Sequence, residues 1–416
     1  MLSRFLISSR HVISHGKILV STRTFSSSPL ETTTELLTHP PSEQRALPTY
    51  GLMDEMGVLR PGASVPTDLT KEILLKAYRT MVRSVVMDTL LYESQRQGRI
   101  SFYLTAFGEE AAVVGSAMAL SPGDDVYAQY REASLLLWRG YPLEAIVDQC
   151  LATCDDTGKG RMMPVHYGSV EHRLQTISSP LATQIPQAAG AAYAHKLSGE
   201  DRIVACYFGE GAASEGDFHA GMNIAATVSA PVLFFCRNNG YAISTPAKDQ
   251  YRGDGIGARG VAYGMHTIRV DGNDLFAVYA ATKKARALVR SDGGQPVLVE
   301  AMTYRESHHS TSDDSTRYRK AEEIALWRET RNPVLRLRRF LTGQGWWSDV
   351  DEIALMKAER LTMLTLISKG EAKPRPSLDT LFSDVYAENT PALTEQARDL
   401  AAHHVLHPPR KDGSQH

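Results

Sequence analysis

The chain has 416 residues, of which 43% are hydrophobic and 22% are charged, and it contains only 4 cysteines. This composition is typical of a globular protein and excludes a disordered chain, a collagen-like repeat and a disulfide-stabilised scaffold. The formal net charge of -2 leaves no positive excess to neutralise phosphates, so the whole protein is not expected to bind nucleic acid. No run approaches the roughly 20 apolar residues of a membrane-spanning helix, so an integral membrane protein is not expected either.

The first 30 residues have the composition of a targeting segment. They contain basic, serine and apolar residues, and the first acidic residue is Glu31. This pattern is typical of a mitochondrial transit peptide, with a disordered basic tail as the alternative. We therefore predict a transit peptide over residues 1–30, with a candidate cleavage point after Phe25, and a protein of the mitochondrial matrix.

The next segment, residues 31–68, is rich in Thr and Pro and shows little periodicity, which predicts an extended arm lying on the core or on a partner. Apolar residues then recur at helical spacing over 71–97, where Gly98 ends the predicted helix. A second helix is predicted over 108–120.

Short apolar runs then alternate with helical stretches. The predicted strands cover 203–208, 232–236, 266–270 and 297–302, with helices over 214–228 and 274–290 between them. This order predicts an α/β fold, a parallel sheet with helices on both faces. Ligands bind at the carboxyl ends of such strands, so we expect the chemistry just after Phe208, Cys236 and Met302.

The remaining chain reads as further helices over 321–368, interrupted at Pro333 and around 343–347, followed by a frayed tail. We divide the chain after its arm into an α/β domain over 69–345 and a C-terminal helical region with its tail over 346–416.

Gly209, Glu210 and Gly211 follow the first of these strands and precede a helix. Small residues at a helix N-terminus let backbone N–H groups approach an anion. The Glu210 carboxylate would repel a phosphate, but a divalent cation between the two reverses the sign of this interaction. Mg²⁺ commonly joins one carboxylate to substrate phosphates. The motif therefore predicts a phosphate site that works through a metal ion.

The next strand leads into Asn238, Asn239, Gly240 and Tyr241, with 26 residues between Gly211 and Asn238. That spacing accommodates one helix and one strand, which brings the two loops side by side. Asn239 and Tyr241 can aim an amide oxygen and a backbone carbonyl in the same direction. A dinucleotide site would need a third glycine where the chain has Ser214, and a plain glycine-rich turn does not explain the paired asparagines.

The combination of G-E-G, 26 residues and N-N resembles the thiamine diphosphate signature, in which the positions of Glu210, Asn239 and the Tyr241 carbonyl hold Mg²⁺ against the diphosphate. The likeness extends to further runs, and with them the chain resembles the α subunits of mitochondrial branched-chain 2-oxoacid dehydrogenases. These runs are R-Q-G-R-I-S-F from Arg96, Q-Y-R-E from Gln129, G-K-G-R-M-M-P-V-H-Y from Gly158, S-S-P-L-A-T-Q-I-P-Q from Ser178 and Y-R-E-S-H-H-S-T-S-D-D-S from Tyr304.

The resemblance covers roughly residues 48–390 and implies the thiamine diphosphate-binding fold. Glu210 and the pair His308-His309 favour the branched-chain enzymes over pyruvate-specific α subunits, which remain an alternative together with a non-catalytic subunit. A transketolase-type enzyme would carry both thiamine-binding domains in a longer chain.

The resemblance also implies roles for individual residues. His309 matches the histidine that reaches the cofactor and helps to transfer the acyl group. The cofactor-binding positions are Tyr130, Arg131, Ser179, Leu181, Gly211, Ala212, Arg237 and His309. A K⁺ site that rigidifies one loop corresponds to Ser178, Pro180, Thr183 and Gln184.

The same resemblance implies partners and regulation. The carboxylate that ionises the thiazolium belongs to a second domain, so a β subunit in an α2β2 heterotetramer is expected, with a lipoyl-bearing transacylase core as acyl acceptor. Ser310 matches the family's inhibitory phosphorylation site, which implies a regulatory kinase and phosphatase. The family's second phosphoserine position falls on Lys320 here, so Ser310 is the expected switch.

Overall fold

A parallel sheet forms the centre of the fold in the computed structural model, which describes residues 34–38, 40, 46–291 and 294–408. The strands are β1 Thr49–Tyr50, β2 Asp125–Tyr127, β3 Leu174–Gln175, β4 Val204–Gly209, β5 Val232–Asn238, β6 Tyr241–Ala242, β7 Thr245–Pro246, β8 His266–Asp271 and β9 Val297–Met302. Within the described residues, seven of them form the main sheet in the order β1-β8-β9-β5-β4-β2-β3, and β6 and β7 form a small antiparallel pair.

Helices make up most of the rest of the fold, and several of them cover the two faces of the main sheet. They are α1 Lys71–Arg96, α2 Glu110–Ala119, α3 Ala133–Trp138, α4 Leu143–Leu151, α5 Gln184–Ser198, α6 Gly216–Val228, α7 Ala247–Gln250, α8 Gly257–Ala262, α9 Leu275–Val289, α10 Ala321–Leu326, α11 Pro333–Gly343, α12 Asp349–Ala372 and α13 Pro391–Leu406. A π-helical turn, Trp327–Arg331, lies between α10 and α11. No helix among the described residues is long and apolar enough to cross a bilayer.

The central strands are apolar because side chains on both of their faces are buried. On β4, Ala205 and Tyr207 pack into a core with α1, α2 and α9, whereas Cys206 and Phe208 pack on the opposite face with α5 and α6. Alternate residues of one strand thus serve two core layers, which is why a continuous apolar run and not an alternating one marks it. The predicted α/β class with helices on both faces is confirmed.

Most elements predicted from periodicity are present within two residues of the expected ends. The helix predicted from residue 214 begins instead at Gly216, after a short 3₁₀ turn over Ala212–Ser214, because Glu215 is extended. The chain before α1 also contributes β1, which pairs in parallel with β8. No strand or helix had been predicted between residues 121 and 202, where the structure has β2, β3 and α3 to α5.

The described residues from 46 onward form one compact unit, and the few described residues before them belong to a separate unit. Of the latter only residues 34–38 and 40 are described, and they are exposed. The predicted transit peptide over 1–30 lies outside the described residues.

Gly221 lets helices α5 and α6 approach each other closely. A Cβ added at this position would lie 2.8 Å from Ile185 Cγ2 and 2.9 Å from the Pro186 nitrogen, closer than packed side chains allow. We expect Gly221→Ala to destabilise the protein by about 1–3 kcal/mol, since overpacking forces backbone shifts. Thermal denaturation of the cofactor-free protein measures this.

Gly190, on α5, provides the matched control. Apart from its chain neighbours and the backbone of its own helix, no described heavy atom lies within 4 Å of a Cβ added there. Gly190→Ala should not lower the melting temperature, because alanine is the better helix former. Equal stability of the two variants would contradict the close packing of α5 and α6.

Candidate active site

Three parallel strands end beside one another and carry the predicted motifs. Gly209 on β4 pairs with Arg237 on β5, and Asn238 on β5 pairs with Met302 on β9. Three segments therefore meet at one edge of the sheet, as predicted. They are the turn after β4, the loop over residues 238–241 after β5, here called the asparagine loop, and the loop after β9.

A cleft of about 180 Å³ lies between these loops. Most of the predicted cofactor and Mg²⁺ residues line it, namely Tyr130, Arg131, Leu181, Glu210, Gly211, Ala212, Arg237, Asn239, Tyr241 and His309. Arg305, Gln129 and Ile243 also line it and were not predicted. The structure thus brings together side chains separated by up to 180 positions along the chain, from Gln129 to His309.

Glu210 is buried in this cleft with an incomplete set of partners. Its Oε2 accepts a hydrogen bond from the Asn239 N–H at 3.2 Å, whereas its Oε1 has no partner among the described residues. Burial, together with the nearby negative charge of Glu109, raises the pKa of Glu210 to about 7. A buried carboxylate oxygen without a partner is costly, and a cation would satisfy it.

The asparagine loop presents its side chains in a fixed orientation. Asn239 Nδ2 donates to Glu109 Oε1 at 2.8 Å, and Asn239 Oδ1 accepts from the Tyr241 N–H at 3.3 Å. The preceding Asn238 turns the other way and donates to Glu300 Oε1 at 2.9 Å. The two asparagines therefore have different tasks: Asn238 anchors the loop to β9, and Asn239 faces the cleft.

Arg237 is held by two buried carboxylates. Its Nε donates to Glu132 Oε1 at 2.6 Å, and its NH1 donates to Glu109. Burial alone would lower the pKa of Arg237, but Glu132 and Glu109 outweigh it and raise the pKa. Arg237 is thus a permanently charged side chain that is held in one orientation at the cleft wall. The sequence alone predicts neither of its carboxylate partners as a site residue.

His309 lies between two arginines. Arg131 Nη2 lies 3.3 Å from His309 Nδ1, and Arg305 Nη1 lies 3.4 Å from the same atom. Arg131 Nη2 also donates to the His309 carbonyl at 2.7 Å. Guanidinium groups only donate, so Nδ1 is the acceptor and the ring proton resides on Nε2. Burial, strengthened by Arg131 and Arg305, lowers the pKa of His309 to about 3.

Arg305 could have been suspected from the sequence, since it belongs to the run from Tyr304 that also contains His309. Its NH2 donates to the Ile243 carbonyl at 2.7 Å, which ties the loop after β9 to the small β6–β7 pair. Gln129 Oε1 accepts from the Gly209 N–H at 2.8 Å and so holds the turn after β4.

The loop before α5 carries the predicted K⁺ residues and Ser179. Thr183 Oγ1 donates to the Pro180 carbonyl at 3.2 Å, and Gln184 Nε2 donates to the Tyr207 carbonyl at 2.9 Å. Ser178 is partly buried at the start of this loop. Ser179 hydrogen-bonds to His166 and is not part of the cleft lining, in contrast to Leu181.

Ser310 lies in the loop after β9 and is buried, with 8% of its surface exposed. Its Oγ accepts from the Ser312 N–H at 3.2 Å, and the adjacent His309 N–H donates to Asp313 Oδ2 at 2.7 Å. The loop is fastened to the segment before α2, because Thr311 and Tyr103 exchange hydrogen bonds of 3.1 Å.

The lowered pKa of His309 has a consequence for stability. Its pKa in an unfolded chain is about 6.5, so the neutral ring contributes stability that is present above that pH and is lost as the pH falls. Between pH 6.5 and 5.5 we expect the free energy of unfolding of the cofactor-free protein to fall by about 1 kcal/mol more than in His309→Asn. Urea unfolding at both pH values measures this, and identical acid sensitivity of the two proteins would contradict the buried neutral histidine.

Comparison with known proteins identifies the family. Residues 78–378 match the family model described as dehydrogenase E1 component. The chain is 55% identical over 364 residues to the mitochondrial 2-oxoisovalerate dehydrogenase subunit alpha of Homo sapiens, covering 87% of this chain and 81% of the relative.

The chain is also similar to proteins of two further organisms. The corresponding mitochondrial subunit of Dictyostelium discoideum is 53% identical over 363 residues, with coverage of 87% and 82%. Subunit alpha 2 of Arabidopsis thaliana is 48% identical over 355 residues, with coverage of 85% and 75%. The resemblance found in the motifs is thereby confirmed, and the chain belongs to the dehydrogenase E1 component family, among the relatives of the 2-oxoisovalerate dehydrogenase α subunits.

Proposed function

We propose that this protein is the α subunit of a branched-chain 2-oxoacid dehydrogenase. It would decarboxylate the 2-oxo acids derived from valine, leucine and isoleucine and pass the acyl group to a lipoyl group. The observation that carries this proposal is the buried Glu210 beside Asn239 in the cleft, in a chain 55% identical to a protein named for this activity.

The cofactor implied by the family is thiamine diphosphate, and the residues of the cleft fit it. The unpartnered Glu210 Oε1 and the Asn239 amide oxygen are oxygen donors of the kind that Mg²⁺ prefers, and the Tyr241 carbonyl would complete the protein's share. No cluster of three or more His, Cys, Asp or Glu residues able to hold a metal occurs in the described chain. A site with one carboxylate therefore depends on the cofactor's own phosphates for its remaining charge.

The cations and small residues of the cleft would hold the rest of the cofactor. Arg131 and Arg237, beside Tyr130, would provide positive charge for the diphosphate. The small residues Gly211 and Ala212 would let the diphosphate approach the protein's backbone N–H groups. Leu181 and Ser179 would complete the cofactor site, and K⁺ at Ser178, Pro180, Thr183 and Gln184 would stiffen their loop.

When bound, thiamine diphosphate supplies a thiazolium carbon that attacks the keto group and an electron sink that permits loss of carbon dioxide. His309 is suited to assist because it is neutral and carries its proton on Nε2, while Arg131 and Arg305 fix its Nδ1. A neutral imidazole with a fixed tautomer can donate a hydrogen bond to a developing oxyanion and then transfer that proton.

The α subunit implies a β subunit, which would supply the carboxylate that ionises the cofactor, in an α2β2 heterotetramer. The acyl acceptor would be the lipoyl-bearing transacylase core, and a kinase and a phosphatase would regulate the enzyme. The relatives are named mitochondrial, and the basic leader over residues 1–30 supports import into the matrix.

The substrate preference tests the proposed function directly. We expect the complex with its β subunit to use 3-methyl-2-oxobutanoate at least about 10-fold better in kcat/KM than pyruvate, since a pocket that buries two further carbons gains about 0.8 kcal/mol for each. Steady-state decarboxylation with both acids measures this. A preference for pyruvate would assign the chain to the pyruvate-specific α subunits, and no turnover with either would favour a non-catalytic subunit.

Ser310 is the proposed regulatory site. A phosphate there adds about -1.5 to -2 charges beside Asp313, whose carboxylate already holds the His309 N–H. Because Ser310 is buried, the loop must open to accommodate this charge, which would withdraw His309 from the cleft. Ser310→Glu should therefore lose both activity and binding of the lipoyl domain, measured in the assembled complex.

Ser312 offers a charge-matched control in the same loop, because it is exposed. Ser312→Glu adds the same charge without having to displace buried atoms, so it should retain most of its activity. If Ser310→Glu were as active as Ser312→Glu, the proposed switch would be wrong.

A further inference from the structure

Glu109 is a buried acidic residue that the proposed mechanism does not use. It immediately precedes helix α2, but its side chain makes no capping hydrogen bond to that helix. Instead its Oε1 accepts a hydrogen bond from Asn239 Nδ2 at 2.8 Å, and its Oε2 accepts one from Arg237 Nη1. One carboxylate therefore joins two residues that line the cleft, and its side chain is completely buried.

Two contacts of the Asn239 side chain, one with Glu109 and one with the Tyr241 N–H, leave its amide only one orientation. An ionised carboxylate can only accept hydrogen bonds, so the Asn239 group facing Glu109 must be the NH₂. The Tyr241 N–H can only donate, so the group facing it at 3.3 Å must be the amide oxygen. The amide oxygen Oδ1 is thus the group turned away from Glu109, on a residue whose backbone N–H donates to the Glu210 carboxylate at 3.2 Å.

Glu109 is suited to this task because its two carboxylate oxygens accept from different partners, one from the Asn239 amide and the other from the Arg237 guanidinium. Burial alone would raise its pKa, but Arg237 and Arg131 outweigh burial, so the pKa of Glu109 is lowered. The neighbouring carboxylate of Glu210 differs, since burial raises its pKa. The two neighbouring carboxylates thus differ in environment: Glu109 is compensated by arginines, and Glu210 has an oxygen left free.

We propose that Glu109 is a positioning residue for the metal and cofactor site: it orients the Asn239 amide so that Oδ1 faces the metal, and it couples this orientation to Arg237. The proposal rests on the proposed function, since it takes Asn239 as a metal ligand. It assigns to the residue before α2 a part in cofactor binding, although Glu109 itself does not line the cleft.

Glutamine at position 109 tests the geometry because it has one acceptor and one donor. Whichever way its amide is turned, its NH₂ faces either the Asn239 NH₂ or the Arg237 guanidinium, so one donor always meets another donor. Changing Asn239 to aspartate as well resolves the conflict: the new NH₂ donates to the aspartate, and the remaining oxygen accepts from Arg237. The double exchange also preserves the total charge.

The experiment titrates cofactor-free α/β complex with thiamine diphosphate at increasing Mg²⁺ and measures, by calorimetry, the Mg²⁺ concentration at half-saturation. We expect Glu109→Gln to raise this concentration by about 10-fold or more, because a charged hydrogen-bond partner is lost. The exchange Glu109→Gln/Asn239→Asp should return it to within about 3-fold of wild type. This readout does not depend on turnover.

Glu132 provides a charge-matched control. It also binds Arg237, through Nε at 2.6 Å, but it makes no contact with Asn239. The exchange Glu132→Gln/Asn239→Asp has the same net charge and places a new carboxylate against Glu109, so it should not recover the wild-type Mg²⁺ requirement. Rescue by both exchanges would mean that net charge alone matters, and the proposal would be wrong.

The remaining outcomes are also decisive. An unchanged Mg²⁺ requirement in Glu109→Gln would overturn the positioning role while leaving the proposed function intact. If the single variant does not fold, a folded exchange variant with a near wild-type Mg²⁺ requirement supports the proposal, and one with a strongly raised requirement overturns it. Failure of the wild-type complex to bind thiamine diphosphate at any Mg²⁺ concentration would overturn both the proposed function and the role of Glu109.

Discussion

The site depends on the register of three parallel strands. β4, β5 and β9 are paired residue by residue up to their carboxyl ends, so Gly209, Asn238 and Met302 finish at the same edge of the sheet. A shift of one residue would turn every side chain of a strand to the opposite face and would misplace the loop that follows it. The two apolar core layers, which take alternate residues of β4, prevent such a shift.

Charge at this edge is arranged for binding and not for stability. Glu109 and Glu132 flank Arg237 in a buried ionic group that has two carboxylates for one guanidinium, and the positive charge of Arg131 also acts on Glu109. Glu210 beside this group keeps an oxygen without a partner among the described residues. Removing charges from water is expensive, and a buried ion pair commonly returns little net stability. The unpartnered oxygen of Glu210 supports our proposal of a cation site here, since perturbed carboxylates concentrate at functional sites.

The loop after β9 is held mainly by polar contacts. Arg319 donates to the carbonyls of Arg305 and Ser307, Thr311 is bonded to Tyr103, and Asp313 holds the His309 N–H. A segment fixed in this way has a defined conformation, and its hydrogen bonds can be exchanged for others when a charge is added to it. This construction would allow one loop both to present His309 to the cleft and to contain the buried Ser310 that we propose as a regulatory site.

The amino-acid sequence by itself determined the central strands and the two motifs after them, because continuous apolar runs and the spacing from Gly211 to Asn238 are local properties. It could not reveal β2 and β3, whose three and two residues are too short to show a period. Glu109 and Arg305 were also missed as site residues. Glu109 lies 130 positions from Asn239, and only the tertiary structure decided that they meet, since their contact depends on where the start of α2 lies relative to the loop after β5.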